Sequence, residues 1–378
     1  MSKILVTKPF QAPFEEVVEQ LKQVWDAEWL TNNGPLLRQL EHDLGAYLGT
    51  ENLAVVGNGT LAIQVALRAL EVSGEVITTP FSYVATTSSI VYEGFTPVFV
   101  DIDPNTFTID PKAIEASITE KTTAILATHI FGIPCDVEAI EALAKKHDLK
   151  VIYDAAHCFG STYKGRSVLS YGDISTLSMH ATKLFHSVEG GAIVVNDNDQ
   201  EKVDSVHGWV TPLRYKVDRL RNFGHNGPEE FDGVGINAKN SEFHAAVGLV
   251  NLRYADRIMA NRAHQHEVYN EALKSVELIR PGVDPQVGWN HSYYPVVFES
   301  EEETMAVLNG LAENEIYARR YFYPVLNSLE YIKDKGQTPV AQSISTRILC
   351  LPLYWGLTDE EIQRVAAHIV RICENFRG

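Results

Sequence analysis

Short apolar runs alternate with helix-like segments along the first 200 residues of the chain. One helix is indicated by the i, i+3, i+4, i+7 spacing of Ile63, Ala66, Leu67 and Leu70. Apolar strands that alternate with helices are typical of a mostly parallel sheet covered on both faces, so an α/β fold is predicted. The predicted strands are residues 53–56, 76–77, 97–100, 124–127, 151–153, 174–177 and 192–195, and helices are predicted at 111–118 and 137–146.

The pattern changes after residue 241. One long helix is predicted over residues 242–273, followed by a strand-like run at 293–298. Two more helical patterns, at 301–314 and 358–375, alternate with short extended pieces. We therefore predict a large α/β domain over residues 1–250 with a mostly parallel sheet, and a smaller C-terminal α+β domain over residues 251–378.

Composition and charge exclude several classes of protein. The 378 residues carry 32 Lys and Arg against 49 Asp and Glu, and the resulting charge of -17 disfavours nonspecific binding to nucleic acid or to an anionic membrane. No apolar run is long enough to span a membrane, and residues 1–10 do not look like a signal peptide. Four scattered cysteines without a CxxC spacing indicate buried thiols and no metal site. A cytoplasmic protein is expected.

The first candidate for chemistry is the turn Gly57-Asn58-Gly59-Thr60, which joins a predicted strand to a predicted helix. Glycines let the backbone approach a ligand closely, and the first amides of a helix attract an anion. The alternative is an ordinary strand-to-helix turn with Thr60 as the N-cap. The turn is not a nucleotide-binding P-loop, because no lysine follows it.

Two further candidates are a carboxylate and an amine. Asp154 directly follows a buried strand, at the carboxyl end where open α/β sheets bind ligands. Lys183 lies in a mostly uncharged stretch between two strands, where burial lowers the pKa of an amine and lets it attack a carbonyl. The alternatives are a loop-capping aspartate and a surface lysine in a hairpin loop.

An anion-binding turn, a carboxylate and a lysine are together the parts of a pyridoxal phosphate site. The phosphate needs a helix start with hydroxyl groups, the pyridine nitrogen needs an aspartate, and the aldehyde needs a lysine. An aromatic side chain should also cover the ring, and Phe81 and Tyr83 follow a predicted strand. The three sites therefore predict pyridoxal phosphate as the cofactor.

With these motifs together, the sequence resembles the DegT/DnrJ/EryC1/StrS family of pyridoxal-phosphate-dependent nucleotide-sugar aminotransferases. The resemblance extends over nearly the whole chain and implies the type I, or aspartate aminotransferase, fold, in which the large domain has a mixed, mostly parallel sheet. It is carried by residues 29–35, 57–60, 79–86, 154–157, 178–191, 235–237 and 351–353.

The resemblance also implies roles for individual residues. Lys183 matches the Schiff-base lysine, and Asp154 matches the partner of the pyridine nitrogen. The other matches all contact the cofactor: His157 at the ring or its phenolic oxygen, Tyr83 stacked on the ring, and Gly59, Thr60 and Ser178 at the phosphate. Asn237 matches an asparagine that reaches the phosphate in the neighbouring subunit, which implies a homodimer with shared active sites.

The implied reaction is transamination of a nucleotide-linked keto sugar with L-glutamate as the amino donor. Residues 29–35, 221–225, 235–242 and 319–324 are most similar to the branch that forms dTDP-4-amino-4,6-dideoxy-D-glucose from the 4-keto-6-deoxy sugar. A 3-keto substrate, a UDP- or GDP-linked sugar, and a non-catalytic regulator remain as alternatives. Related dehydratases have histidine in place of the lysine, so Lys183 favours transamination.

Four further side chains have two interpretations each. Arg319 and Arg320 either face the sugar diphosphate or are solvated charges beside an aromatic segment. His180 and His186 either orient a carboxylate or sugar hydroxyl, or belong to an ordinary loop.

Overall fold

The computed structural model describes residues 3–197, 201–205 and 208–378. Its α-helices are α1 (Phe14–Asp26), α2 (Pro35–Leu48), α3 (Gly59–Ala69), α4 (Val84–Tyr92), α5 (Pro111–Ser117), α6 (Val137–His147), α7 (Pro212–Leu220), α8 (Glu242–Leu252), α9 (Ala255–Ala272), α10 (Glu301–Glu313), α11 (Pro339–Arg347) and α12 (Asp359–Arg377). Short 3₁₀ helices occur at Val168–Ser170 and Leu326–Ser328. No described helix is long and apolar enough to cross a membrane.

The strands are mostly short. They are β1 (Leu53–Val56), β2 (Glu75–Thr78), β3 (Thr96–Phe99), β4 (Thr122–Thr128), β5 (Lys150–Asp154), β6 (Thr162–Tyr163), β7 (Arg166–Ser167), β8 (Ile174–Ser178), β9 (Gly191–Val195), β10 (Val203–Ser205), β11 (Gly208–Val210), β12 (Val287–Gly288), β13 (Tyr294–Val297) and β14 (Ile348–Leu351).

The central sheet has seven strands in the order β1-β9-β8-β5-β4-β2-β3. Strand β9 runs antiparallel to β1 and β8, and the pairs from β8 to β3 are parallel. The predicted mixed, mostly parallel sheet is therefore confirmed. Because β1 and β8 are both antiparallel to β9, the carboxyl ends of β1, β8, β5, β4 and β2 share one edge, where open α/β sheets bind ligands.

Both faces of the sheet are buried. In β4, Ala124 and Leu126 pack into one apolar cluster, whereas Ile125 and Ala127 pack into another on the opposite face. Successive side chains of a strand point to opposite faces, so a run without polar residues must be covered on both sides. Helix α3 covers one face across β5, β8 and β9.

The predicted single helix over residues 242–273 is wrong in one respect, because the structure has two helices there. Helix α8 ends at Leu252, and α9 begins at Ala255. The amides of Arg253 and Tyr254 donate to the carbonyls of Val250 and Asn251, three residues back, in a tight turn between the helices. No proline or glycine marks this turn in the sequence, so the periodic pattern alone could not reveal it.

The C-terminal part is built on the antiparallel pair of strands β13 and β14 and on helices α9, α10 and α12, which share an apolar cluster. Helix α12 begins with a capping box, in which the side chain of Thr358 accepts a hydrogen bond from the Glu361 amide and the side chain of Glu361 accepts one from the Thr358 amide. Ile4, near the start of the chain, packs into the same cluster and forms a bridge with Ile316. The domain boundary at residue 250 stays a prediction.

Candidate active site

A cavity of about 370 Å³ opens at the carboxyl edge of the central sheet. Seven of the eight predicted site residues line it: Gly59, Thr60, Tyr83, Asp154, His157, Ser178 and Lys183. They come from the ends of strands β5 and β8, from the first turn of α3, and from the loops beside them. Distant parts of the sequence therefore meet at the edge where the strand topology predicts a ligand site.

Lys183 follows β8 in a loop whose backbone turns back on itself, since its amide donates to the His180 carbonyl at 2.8 Å. The pKa of its amine is lowered from 10.5 to about 8, mainly by burial and to a smaller extent by the charge of Arg319. The negative charge of Asp154 acts in the opposite direction, raising the pKa of the amine. A substantial fraction of Lys183 is therefore neutral near pH 8, as a nucleophilic amine must be.

Asp154 is the last residue of β5 and is buried at 6% exposure. Burial raises the pKa of its carboxyl, and hydrogen bonds from the Thr86 hydroxyl and the Ala156 amide lower it. The donor–acceptor distances are 2.7 Å from Thr86 and 3.2 Å from Ala156. In the described part of the chain no cation contacts this carboxylate, so it can still bind one.

A chain of hydroxyl groups stands behind Asp154. Thr86 is 2.8 Å from Ser82, and Ser82 is 3.0 Å from Thr128, all three oxygens being buried. An ionised carboxylate only accepts hydrogen bonds, so Thr86 must donate to Asp154 and accept from Ser82, which in turn accepts from Thr128. Sequence reasoning missed these three hydroxyls, because nothing in the spacing of Ser82, Thr86 and Thr128 connects them with Asp154.

His157 is buried and its protonation is fixed by its surroundings. Its Nδ1 accepts a hydrogen bond from the Phe131 amide at 3.2 Å, and its ring is stacked parallel to Phe322. Burial holds the pKa of His157 well below its usual value, and the nearby Lys183 charge adds to this effect. The ring is therefore neutral with its proton on Nε2, which makes Nε2 a hydrogen-bond donor.

The anion-binding turn has the expected position but a different cap. Helix α3 begins at Gly59, and the Asn58 side chain accepts from the Leu61 amide at 2.9 Å, so Asn58 is the N-cap instead of Thr60. A Cβ atom on Gly59 would lie 3.0 Å from the Ser178 Cβ. The glycine therefore lets the helix start approach the end of β8 closely.

The other expected residues divide between the site and the scaffold. Tyr83, 48% exposed, faces the cavity, whereas Phe81 is buried in an apolar cluster. His180 lines the cavity, but His186 is buried with Nε2 2.7 Å from the Phe10 carbonyl oxygen. The interpretation of His186 as a substrate-orienting residue is therefore wrong.

Asn237 lies apart from the Lys183 cavity. It lines a neighbouring cavity of about 410 Å³ together with Thr31 and Lys239. Within one chain it is therefore not placed on the same ligand as Lys183. No group of three or more metal-binding side chains occurs among the described residues.

The fold and the site define a class of α/β enzyme in which an amine of lowered pKa, a buried carboxylate and the first turn of a helix line one cavity. The chain belongs to the DegT/DnrJ/EryC1/StrS aminotransferase family, whose family model matches residues 13–370. The family expected from the sequence motifs is thereby confirmed, and the chain is an aminotransferase.

Individual relatives agree with this assignment. The chain is 40% identical over 375 residues to a dTDP-4-amino-4,6-dideoxy-D-glucose transaminase from Shigella dysenteriae, with 98% of this chain and 99% of the relative covered. Among solved structures, DesI in the presence of its TDP-sugar product has a TM-score of 0.90 at 31% identity, with 99% of this chain and 93% of the other covered. A candidate sugar aminotransferase from Streptococcus pneumoniae, solved in its PLP form, has a TM-score of 0.88 at 26% identity, with 99% of both chains covered.

Proposed function

We propose that this aminotransferase uses pyridoxal phosphate to transfer an amino group from L-glutamate to dTDP-4-dehydro-6-deoxy-D-glucose, giving the 4-amino-4,6-dideoxy sugar. The observation that carries the cofactor assignment is the half-buried Lys183, whose amine has a lowered pKa and shares a cavity with the buried Asp154 carboxylate. The sugar is assigned by similarity, since the Shigella relative at 40% identity bears this activity in its name.

The residues at the cavity fit pyridoxal phosphate. The α3 start at Gly59 and Thr60, with the Ser178 hydroxyl beside it, suits the phosphate, because the first amides of a helix have no carbonyl one turn before them. Asp154 is a buried carboxylate that accepts from one hydroxyl and one amide, which leaves capacity for a protonated ring nitrogen. When bound, the cofactor supplies an electron sink for cleavage of a bond to the substrate α-carbon.

The protein's own groups would orient the cofactor and move protons. Asp154 would hold the ring nitrogen in its charged form, and Tyr83 would cover one face of the ring. The His157 Nε2–H would donate to the phenolic oxygen, since its Nδ1 is already occupied by the Phe131 amide. These three side chains line the same cavity.

Lys183 would have two roles. As a neutral amine it would hold the cofactor covalently through its aldehyde, and as a free amine it would carry a proton away from the donor α-carbon. A pKa of about 8 suits both roles, because the amine can gain and lose a proton near neutral pH.

A homodimer would complete the site. Exposed apolar side chains lie on the segment that precedes Asn237 in the sequence, including Phe223 at 46%, Phe231 at 65% and Val234 at 79% exposure. Several large apolar side chains exposed on one segment are typical of an interface between proteins. Asn237, which faces a different cavity from Lys183, would then contact the cofactor of the partner subunit.

The first experiment tests the cofactor and its lysine. The purified protein incubated with pyridoxal phosphate should turn yellow, the colour should bleach with L-glutamate, and borohydride reduction should fix the cofactor on the peptide that contains Lys183. Lys183→Ala should lose the covalent adduct and turnover. Lys145→Ala, an exposed lysine paired with Glu141, is the matched control and should behave as wild type. A colourless wild-type protein or an active Lys183→Ala variant would contradict the proposal.

The second experiment tests the sugar. The enzyme and L-glutamate are given dTDP-4-dehydro-6-deoxy-D-glucose, its 3-keto isomer, and the UDP-linked 4-keto sugar in parallel, and the products are identified by NMR. A preferred 4-amino product from the dTDP-linked substrate is expected. Preference for the 3-keto isomer or for the UDP-linked sugar would replace the assigned substrate without affecting the cofactor assignment.

The third experiment tests the shared site by mixing two inactive variants. Lys183→Ala retains Asn237, and Asn237→Ala retains Lys183, so a mixed dimer has one site with both residues if Asn237 acts across the interface. An equal mixture allowed to exchange subunits should recover about a quarter of the wild-type activity. If Asn237 acts within its own chain, no activity returns.

A further inference from the structure

Two neighbouring arginines have different surroundings. The Arg320 guanidinium is 2.7 Å from Glu301 and 2.8 Å from the Thr346 carbonyl, and it stacks on Tyr323 at 3.5 Å, so its charge is engaged. Arg319 forms no ion pair in the part of the chain that the structure describes. Of the two, Arg319 is the one available to bind an anion from solution.

The position of Arg319 is fixed by its backbone. Its amide donates to the Cys350 carbonyl at 3.1 Å, and its carbonyl accepts from the Cys350 amide at 2.8 Å, which ties it to β14. The guanidinium lies 4.5 Å from the centre of the Tyr321 ring and lines the Lys183 cavity. A cation held in this way is oriented before a ligand arrives, which favours binding.

A second arginine faces a small cavity next to the same residues. Arg262 of α9 is 4% exposed, burial lowers the pKa of its guanidinium to about 10, and its Nε is buried without a hydrogen-bond partner. One of its Nη atoms donates to the Leu353 carbonyl. Arg262, Arg319 and Thr182, the neighbour of Lys183, line a cavity of about 40 Å³. No acidic side chain is among the residues that line it.

We propose that Arg319 and Arg262 form the binding site for a carboxylate group of the amino donor, an inference that rests on the proposed function. A guanidinium binds a carboxylate through two parallel hydrogen bonds, and two guanidinium groups that line one small cavity without an acidic side chain attract an anion. The small cavity shares Thr182, Arg319 and Tyr321 with the Lys183 cavity, and its volume of about 40 Å³ suits a small anionic group such as a carboxylate.

The covalent structures of the two substrates also indicate that the arginine site binds the amino donor and not the sugar nucleotide. The donor carbon that loses its proton to Lys183 bears a carboxylate directly, so a cation near that amine lies near the carboxylate. In a 4-keto sugar nucleotide the reacting carbon is separated from the diphosphate by the sugar ring. The charge of Arg319 lowers the pKa of the Lys183 amine, which is consistent with a short distance between these two groups.

The experiment compares the two half-reactions of the cofactor-loaded enzyme. The bleaching rate against L-glutamate concentration gives the donor dissociation constant, and reaction of the aminated enzyme with the keto-sugar nucleotide gives the sugar dissociation constant. Arg319→Gln should raise the donor constant by about 10- to 100-fold, as expected for loss of a hydrogen bond to a charged group, and leave the sugar constant unchanged. Arg319→Lys should recover part of the loss.

A matched control and an independent measurement sharpen the result. Arg166→Gln removes another exposed arginine that stacks on a tyrosine, Tyr171 at 5.0 Å, but lies outside the Lys183 cavity, and it should leave both constants unchanged. Binding of maleate, an unreactive dicarboxylate, to the loaded enzyme is measured by calorimetry and should weaken with Arg319→Gln. L-Glutamine and L-isoglutamine, which each lack one carboxylate charge, identify the carboxylate: discrimination against one of them should shrink in the variant.

The outcomes separate this inference from the proposed function. A yellow Arg319→Gln variant with unchanged glutamate and maleate affinity would overturn the carboxylate site alone, as would a weakening confined to the sugar half-reaction. A wild-type protein that takes up no cofactor would overturn both proposals. Arg262→Lys, compared at equal thermal stability, should weaken glutamate binding in the same direction, and an unchanged constant would exclude Arg262 from the site.

Discussion

The lowered pKa of Lys183 makes a prediction about stability that needs no substrate. In the folded apoprotein the ammonium form is disfavoured by burial, so the pKa falls from 10.5 to about 8. This difference corresponds to about 3 kcal/mol of destabilisation at pH values below 8, where the side chain is charged in both the folded and the unfolded states. Lys183→Met removes the charge and keeps an unbranched side chain, so it should stabilise the apoprotein.

The pH dependence has a definite sign. Between about pH 8 and 10.5 the unfolded chain binds this proton and the folded protein does not, so the free energy of unfolding of the wild type rises with pH. The methionine variant lacks this contribution. The variant should therefore be more stable by up to about 3 kcal/mol at pH 7, and the advantage should narrow by about 1 kcal/mol at pH 9.

The assay is urea unfolding of the apoproteins at pH 7 and pH 9, at one protein concentration because a dimer's stability depends on concentration. Lys145→Met, at an exposed lysine, serves as the control and should change stability little at either pH. The reasoning would be refuted if Lys183→Met were less stable than wild type, or if the difference in free energy of unfolding between the two proteins were the same at pH 7 and pH 9. Either result would show that folding does not lower the pKa of the Lys183 amine.

Two further predictions concern the groups around the cavity. Thr86→Val removes a hydrogen bond to the Asp154 carboxylate worth about 1.5–3 kcal/mol, so the acid limb of the pH–activity profile should move upward by about one to two pH units, and an unmoved limb would contradict the hydroxyl chain. Gly59→Ala should weaken pyridoxal phosphate binding by about tenfold, because the new methyl group meets Ser178 at 3.0 Å. Spectroscopic titration measures this affinity, and Gly282→Ala, whose nearest neighbour is 3.5 Å away, should leave it unchanged.

The pattern of apolar runs was sufficient to predict the strands of the central sheet and their burial on both faces. Residues 53–56 were predicted as a strand and form β1, because a run of four apolar residues between turns is buried on both faces. The same reasoning joined α8 and α9 into one helix. The break at Arg253 and Tyr254 depends on tertiary contacts, including the Tyr254 hydroxyl near Glu16 of α1, and local periodicity does not contain this information.

Candidate site residues were predictable where each had a local signal. Asp154 ends an apolar strand, and Gly59 lies at a strand-to-helix turn, so topology alone places both at one edge of the sheet. Thr86 had no such signal, because a threonine in the first turn of a helix usually faces solvent or packs locally. Its contact with Asp154 arises from the order of β2, β4 and β5 in the sheet, which the sequence pattern does not specify.

The pair Arg319 and Arg320 marks the limit of reasoning from sequence most clearly. The two residues have the same chemistry and adjacent positions, and the sequence left both as candidates for an anion or as solvated charges. The backbone at Arg319 is paired with Cys350, and adjacent side chains of an extended segment point to opposite sides. The Arg320 guanidinium therefore points to Glu301, and the Arg319 guanidinium points to the Lys183 cavity. The alternation of side chains along an extended backbone thus makes Arg320 a structural residue and Arg319 a candidate for binding a ligand.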